Sequence, residues 1–204
     1  FRQHKRGSLV QTGCIVYIEM NEPDVKPEIK SLVFEESIGV SCLIVKSIEP
    51  TIVSNLTFNN IADGSPCIDL DQWYMQGSLT IEYSNFTNIF NSRCIKGTTE
   101  IEIFSTTIES CQFINNSISK TSGNEYFNGC GSCILCLHKA DLYVTSCNFT
   151  NDMSESNGGA IYAETESIGI DLCYFTLCSS APNGEYGHGG AIYLNQTSTG
   201  GREY

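Results

Sequence analysis

The chain has 204 residues and a formal net charge of −12, with only 17% charged residues. No basic stripe is present to neutralise phosphates, which excludes a nucleic-acid partner, and the cluster Arg2, His4, Lys5 and Arg6 reads as a solvated start. No run of 18 apolar residues occurs to span a membrane, and no charged segment followed by an apolar core marks a signal peptide.

Taken in chain order, the sequence repeats itself. A Cys-Ile pair at Cys14-Ile15 opens the pattern, followed by Ile29, Leu32 and Phe34. The next copies run Cys42-Leu43, Val53, Leu56, Phe58, Asn60; then Cys67-Ile68, Ile81, Ser84, Phe86, Asn88; then Cys94-Ile95, Ile108, Cys111, Phe113, Asn115. The series continues with Cys133-Ile134, Val144, Cys147, Phe149, Asn151, then Ala160-Ile161, Ile170, Cys173, Phe175, and ends on Ala191-Ile192. Equivalent positions mostly recur every 24 to 31 residues. Each unit holds short β-prone stretches such as Leu79-Thr80-Ile81, divided by Gly, Asn and Ser turn signals. Helical repeats would need apolar residues at i, i+3, i+4 and i+7 and would avoid so many β-branched, Asn and Gly positions. A unit this small cannot bury its own apolar side, so stacked copies about 4.8 Å apart must share one core. The reading is an all-β, right-handed parallel β-helix of about seven coils, a single solenoid segment over 1–204. Because the chain opens and closes in mid-pattern, it is expected to be part of a longer one.

Within a coil, three residues separate the β-branched anchor from the small anchor, and two more lead to Phe. The odd step breaks strand alternation and predicts a corner or bulge between them. The Asn positions fall in the next turn, where stacked amides can hydrogen-bond along the rod. Cys/Ala and the following Ile either face opposite ways or share the interior across a bend.

The segments Gly158-Gly159-Ala160-Ile161-Tyr162 and Gly189-Gly190-Ala191-Ile192-Tyr193, with Cys147-Asn148-Phe149-Thr150-Asn151, resemble the polymorphic outer membrane protein repeat family. That family pairs a Gly-Gly-Ala-Ile motif with a Phe-x-x-Asn motif in every coil. The resemblance covers nearly the whole chain, although earlier coils carry Cys for Ala and Asn usually falls two residues after Phe. It implies a β-helical surface adhesin of the bacterial autotransporter type, with similar repeats in large surface proteins of parasitic protists.

Eleven cysteines invite a secreted, disulfide-bonded reading. Cys14, Cys42, Cys67, Cys94 and Cys133 form one column, which reads as stacked core thiols because Ala160 and Ala191 take the same place. The alternative, a column of disulfides, has acceptable Cα spacing, but parallel Cβ vectors would stand wider than the usual ~3.8 Å. Cys111, Cys147 and Cys173 share a second column with Ser84 and Leu56, whereas Cys130 and Cys178 lie outside both. Cys130-x-x-Cys133-x-x-Cys136 with His138 has metal-ligand spacing, yet the repeat explains all but Cys130, so neither metal nor cofactor is expected. Glu82 and Glu109 should stack on adjacent coils at a separation suited to retaining glycoside chemistry or calcium. Their column reads Lys30, Ser54, Thr145 and Asp171 elsewhere, as a solvated row would, and no catalytic residue is assigned. Asn-x-Ser/Thr sequons occur at Asn55, Asn85, Asn115, Asn148 and Asn195; Asn85 and Asn148 precede a core Phe and should point outward, where a glycan fits.

Loop lengths locate a candidate binding face. The arc from the Cys/Ala anchor to the next Phe takes 15 to 20 residues, whereas Phe to the next anchor takes from 8 to 20. The longest insertions, Ser117 to Cys130 and Ser179 to Gly190, carry Tyr126, Phe127, Tyr186 and His188 among Gly, Asn and Ser. These four are the candidate ligand contacts, since insertions on one face of a solenoid often bind. The expected function is a non-enzymatic extracellular or cell-surface rod that presents binding loops to a protein or glycan. Alternatives are a carbohydrate-active β-helix enzyme and a structural spacer among neighbouring subunits of an assembly.

Overall fold

The computed structural model describes residues 2–3, 14–20, 28–39, 41–47, 49–63, 65–70, 78–97, 105–119, 129–137, 141–180 and 187–196. Among them every regular element is a strand, and the strands form three sheets around one core. Sheet A stacks Cys14–Met20, Ser41–Ser47, Ile68–Asp69, Ile95–Gly97, Ile134–Leu137, Ile161–Thr165 and Ile192–Gln196 in parallel, with Arg2–Gln3 antiparallel on its first edge. Sheet B stacks Glu28–Lys30, Thr51–Ser54, Ser78–Glu82, Ser105–Glu109, Asp141–Thr145 and Ser167–Asp171. Sheet C stacks Val33–Glu35, Thr57–Ala62, Asn85–Phe90, Gln112–Ile114, Asn148–Thr150 and Tyr174–Thr176. The chain visits A, B and C in turn, so it is a parallel β-helix with seven parallel rungs on A and six on each of the others.

The Phe column is continuous. Phe34, Phe58, Phe86, Phe113, Phe149 and Phe175 stand in register with ring centroids 4.6 to 4.9 Å apart and planes within 7°. That separation is the inter-strand spacing of a sheet, so backbone pairing sets the stacking. Ile29, Val53, Ile81, Ile108, Val144 and Ile170 form the second interior column in sheet B. On sheet A the parity resolves in favour of the bend: Cys42 and Leu43, Cys67 and Ile68, and Ala160 and Ile161 are all buried. One register differs from the sequence reading. Val16 pairs with Leu43 and Cys14 with Ser41, so Cys14 stands one place off the Cys42 column. The Cys-Ile dipeptide alone could not distinguish these two alignments.

The predicted corner lies between sheets B and C. Ser31, Asn55, Tyr83, Ser110, Ser146 and Leu172 all adopt positive φ there, between 49° and 58°. The residue that follows closes the corner with its own hydrogen bonds. Ser84 Oγ donates to Glu82 O at 2.9 Å, and the thiols of Cys111, Cys147 and Cys173 donate to the carbonyl two residues back at 3.2 to 3.3 Å. Backbone N–H groups of the neighbouring coil donate back: Leu56 N to Ser84 Oγ and Cys111 N to Cys147 Sγ. The column therefore favours a small side chain with a donor hydrogen, which Ser and Cys share.

A second left-handed corner follows Phe at Glu36, Asn60, Asn88, Asn115, Asn151 and Leu177. Asn tolerates this conformation better than most residues. The expected amide ladder forms here: Asn88 donates to Asn60 at 3.2 Å, Asn115 to Asn88 at 3.3 Å, and Asn151 to Asn115 at 2.9 Å.

Candidate functional site

Three parts of the rod carry groups capable of more than packing. The first is the strip where the chain enters sheet A. Gly131, Gly158 and Gly189 stack with φ of 55°, 64° and 67°. A Cβ on them would approach the carbonyl oxygen three residues on to between 2.0 and 2.4 Å. This is why the Gly-Gly-Ala-Ile turn needs its first glycine. Immediately before these glycines stand Cys130, Asn157 and His188, the roots of the long insertions and of the coil between them. Gly158 N donates to His188 O at 3.0 Å, His188 N donates to Asn157 Oδ1 at 2.8 Å, and Ser156 N donates to Gly129 O at 3.0 Å. His188 is exposed. Tyr126, Phe127 and Tyr186 lie outside the described residues, as does His138.

Cys130 is buried, on the outside of sheet A, where it packs with Leu135, Leu137 and Tyr162 in a small second core. Tyr162 donates to Glu164 Oε1 and stacks on Tyr193, with ring centroids 4.8 Å apart. Burial, and then the Glu164 carboxylate, push the Tyr162 phenol well above its ordinary range. The root of the first long insertion is thus fastened over the sheet. Cys133 and Cys136 belong to the main core on the other side, so Cys130 cannot share a metal with them. Among the described residues no group of three or more His, Cys, Asp or Glu is placed to hold a metal ion.

The second part is an interior polar cluster that the sequence reading missed. Three residues after Phe the column reads Ser37, Ile61, Ile89, Asn116, Asp152 and Cys178, and its Ile pair gives way to an enclosed Asn and Asp. Asn116 Nδ2 donates to Asp152 Oδ1 at 2.9 Å and to Phe86 O at 3.3 Å, and its Oδ1 accepts Ile89 N–H at 3.1 Å. Asp152 is 0% exposed; its Oδ1 also accepts Asn116 N–H, while its Oδ2 has no hydrogen-bond partner. Burial raises its carboxyl to about 6 against the hydrogen bonds from Asn116 that lower it. The change from Ile61 and Ile89 to Asn116 and Asp152 in this column was the available signal.

The thiols divide by cause. Burial raises Cys67, Cys94 and Cys133, whereas Cys147 is pushed up to about 12 first by its hydrogen bond with Cys111. Apart from Cys14, the cysteines form no disulfides with one another. Thiols held protonated are poor nucleophiles, so these columns are structural.

The third part is the outer surface of sheets B and C. Glu82 and Glu109 stack in register, half-buried, in the row with Ser54, Thr145 and Asp171. Asn85 and Asn148 are exposed on sheet C, in one outward row with Thr57, Gln112 and Tyr174. No helix of the described residues is long and apolar enough to cross a membrane. Against known proteins, no family model, no curated protein and no solved structure matches the chain.

Proposed function

We propose that this chain is a non-enzymatic rod of an extracellular or cell-surface protein, and that it holds binding loops toward a protein or glycan partner. The observation that carries the reading is the alignment of the loop roots: Cys130, Asn157 and His188 precede three stacked glycines on one strip of the rod. A stacked solenoid fixes such roots rigidly while leaving loop length free to vary. The contacts are assigned to Tyr126, Phe127, Tyr186 and His188. Replacing both insertions with the short turn seen at 87–93 should abolish binding to a printed array of glycans and extracellular protein domains, with the β circular dichroism unchanged. Binding that survives the swap would move the function off the loops. Glycans are proposed on Asn85 and Asn148; secretion from a eukaryotic host should then give a mass decrement with each Asn→Gln variant.

A second reading, a structural spacer within an assembly, draws on the lack of disulfides among the cysteines other than Cys14. Titration of the denatured, unreduced full-length protein decides between them: close to eleven free thiols favours the spacer.

A further inference from the structure

From the enclosure of Asp152 we infer a proton-operated latch. The protonated carboxyl closes the coil segment 153–157 against the core, and its ionisation loosens that segment together with both ends of the first long insertion. The latch is independent of what the insertion binds.

The segment is the floor on which the insertion stands. Before the insertion, Ser117–Ile118 pairs in parallel with Met153–Ser154. Met153 N donates to Asn116 O at 2.8 Å, and Glu155 N donates to Ile118 O at 3.0 Å. After the insertion, Ser156 N donates to Gly129 O at 3.0 Å, and Gly131 N donates to Asn157 O and Gly158 O, each at 3.1 Å. Buried Ser154 braces the turn through its hydroxyl, 3.2 Å from Ser156 O. Both ends of the insertion thus hang on one short stretch, and Asp152 immediately precedes it.

Asp152 is held from one side only. Asn116 meets Oδ1 with its backbone N–H and its side-chain amide, and the same amide reaches Phe86 O at 3.3 Å and the Cys133 thiol at 3.7 Å. Oδ2 meets no donor. The ionisable groups facing the carboxyl are thiols: Cys94 and Cys133 from the side of sheet A, and Cys178 from the following coil. Burial first, and then the Asp152 charge, raise all three. None of the main influences on Asp152 comes from a Lys, Arg or His. An enclosed carboxylate with an open oxygen and no cation is costly, whereas a neutral carboxyl is far less so. Water reaching Oδ2 relieves that cost. On one side of Asp152 the strand Asn148–Thr150 is paired along both edges, whereas 155–157 belong to no strand. Opening therefore takes the weaker side.

The closed segment holds the proton to about 6, against 3.8 for a carboxyl open to water. The facing thiols stay protonated throughout this range. Opening is accordingly constant below 3.8, grows as pH rises to about 6 and is level above it. The whole change corresponds to roughly a hundredfold.

Native-state hydrogen exchange on the full chain, corrected for the intrinsic rate of each amide, tests the latch without any partner. At about pH 7 the amides of Met153, Glu155, Ser156 and Gly131 should open at least about tenfold more often than those of 78–82 and 105–109, by a motion that about 1 M urea leaves unchanged. That opening should fall roughly a hundredfold by about pH 4. Asp152→Asn should remove the pH dependence. So should Asn116→Ile with Asp152→Ile, which continues the column of Ile61 and Ile89 and covers the case in which the single variant does not fold. Exchange at the four amides that matches sheet B at neutral pH, or that grows with urea in step with it, overturns the latch. A pH dependence that survives in either variant overturns it as well.

Discussion

Asp152 is fully buried between two exposed neighbours, Asn151 and Met153. Its carboxyl lies inside the rod with one oxygen unpartnered, and burial raises it from 3.8 to about 6. The folded state therefore binds the proton more tightly than the unfolded chain does. The corresponding stability is complete below pH 3.8 and is lost as pH rises through about 6. A gap of this size corresponds to roughly 3 kcal/mol. The melting temperature should fall as pH rises from 3.8 to about 6, and Asp152→Asn, which keeps an acceptor for Asn116 N–H, should flatten that slope. A wild-type slope unchanged by the substitution would place the titration elsewhere. Leu177 makes the opposite kind of prediction. Asn at this left-handed corner should raise stability by about 1 kcal/mol, measured by urea unfolding, because the side chain it removes is mostly solvent-exposed.

At the scale of one element, the Phe column and the glycine turn respond differently to truncation and addition. Phe113 is fully buried between Phe86 and Phe149, so Phe113→Ala should cost roughly 3–5 kcal/mol by leaving a hole in the stack. Phe175 ends the column and is only partly buried, and its truncation should cost measurably less. Equal losses would mean that the column does not act through burial. In the turn, a methyl on Gly158 would sit 2.1 Å from Ile161 O in a left-handed conformation, whereas one on Gly190 meets nothing within 4 Å. Gly158→Ala should therefore destabilise by more than about 2 kcal/mol, and Gly190→Ala should stay within about 1 kcal/mol of the wild type. Paired denaturant melts of the two variants check this.

Over the whole molecule, the coils share one core, and each sheet pairs a coil with its neighbours in sequence. Burial falls off in both end coils: Ile168, Ile170, Cys173 and Phe175 are only partly covered, and so are Ile15, Val16, Ile18 and Leu32 at the other end, although Ile29 and Phe34 there are nearly enclosed. A nearest-neighbour solenoid should unfold first where its interface terms are fewest. Amide hydrogen exchange should accordingly be fastest in 14–20 and 167–180 and slowest in 78–97 and 105–114. Uniform protection would show that the described rod unfolds as one unit. The cysteine columns should follow the same gradient, with Cys173 and Cys178 reacting before Cys67, Cys94 and Cys133.

The sequence by itself determined the stacking, because it recurs with fixed offsets. Phe, the β-branched residue five before it and the small residue two before it occupy equivalent places in every coil, and equivalent side chains in adjacent parallel strands must form columns. The odd step even located the corner, and the repeated asparagine located the amide ladder. Tertiary structure decided what single positions do once those columns exist. Whether Cys and the following Ile both point inward depended on a bend that no dipeptide encodes, and the place of Cys14 depended on pairing with Ser41. The burial of Asp152 and the fastening of Cys130 over sheet A arise where several coils meet. They follow from residues far apart in the chain, so periodicity predicts the frame that brings those residues together, while their environments depend on the frame being built.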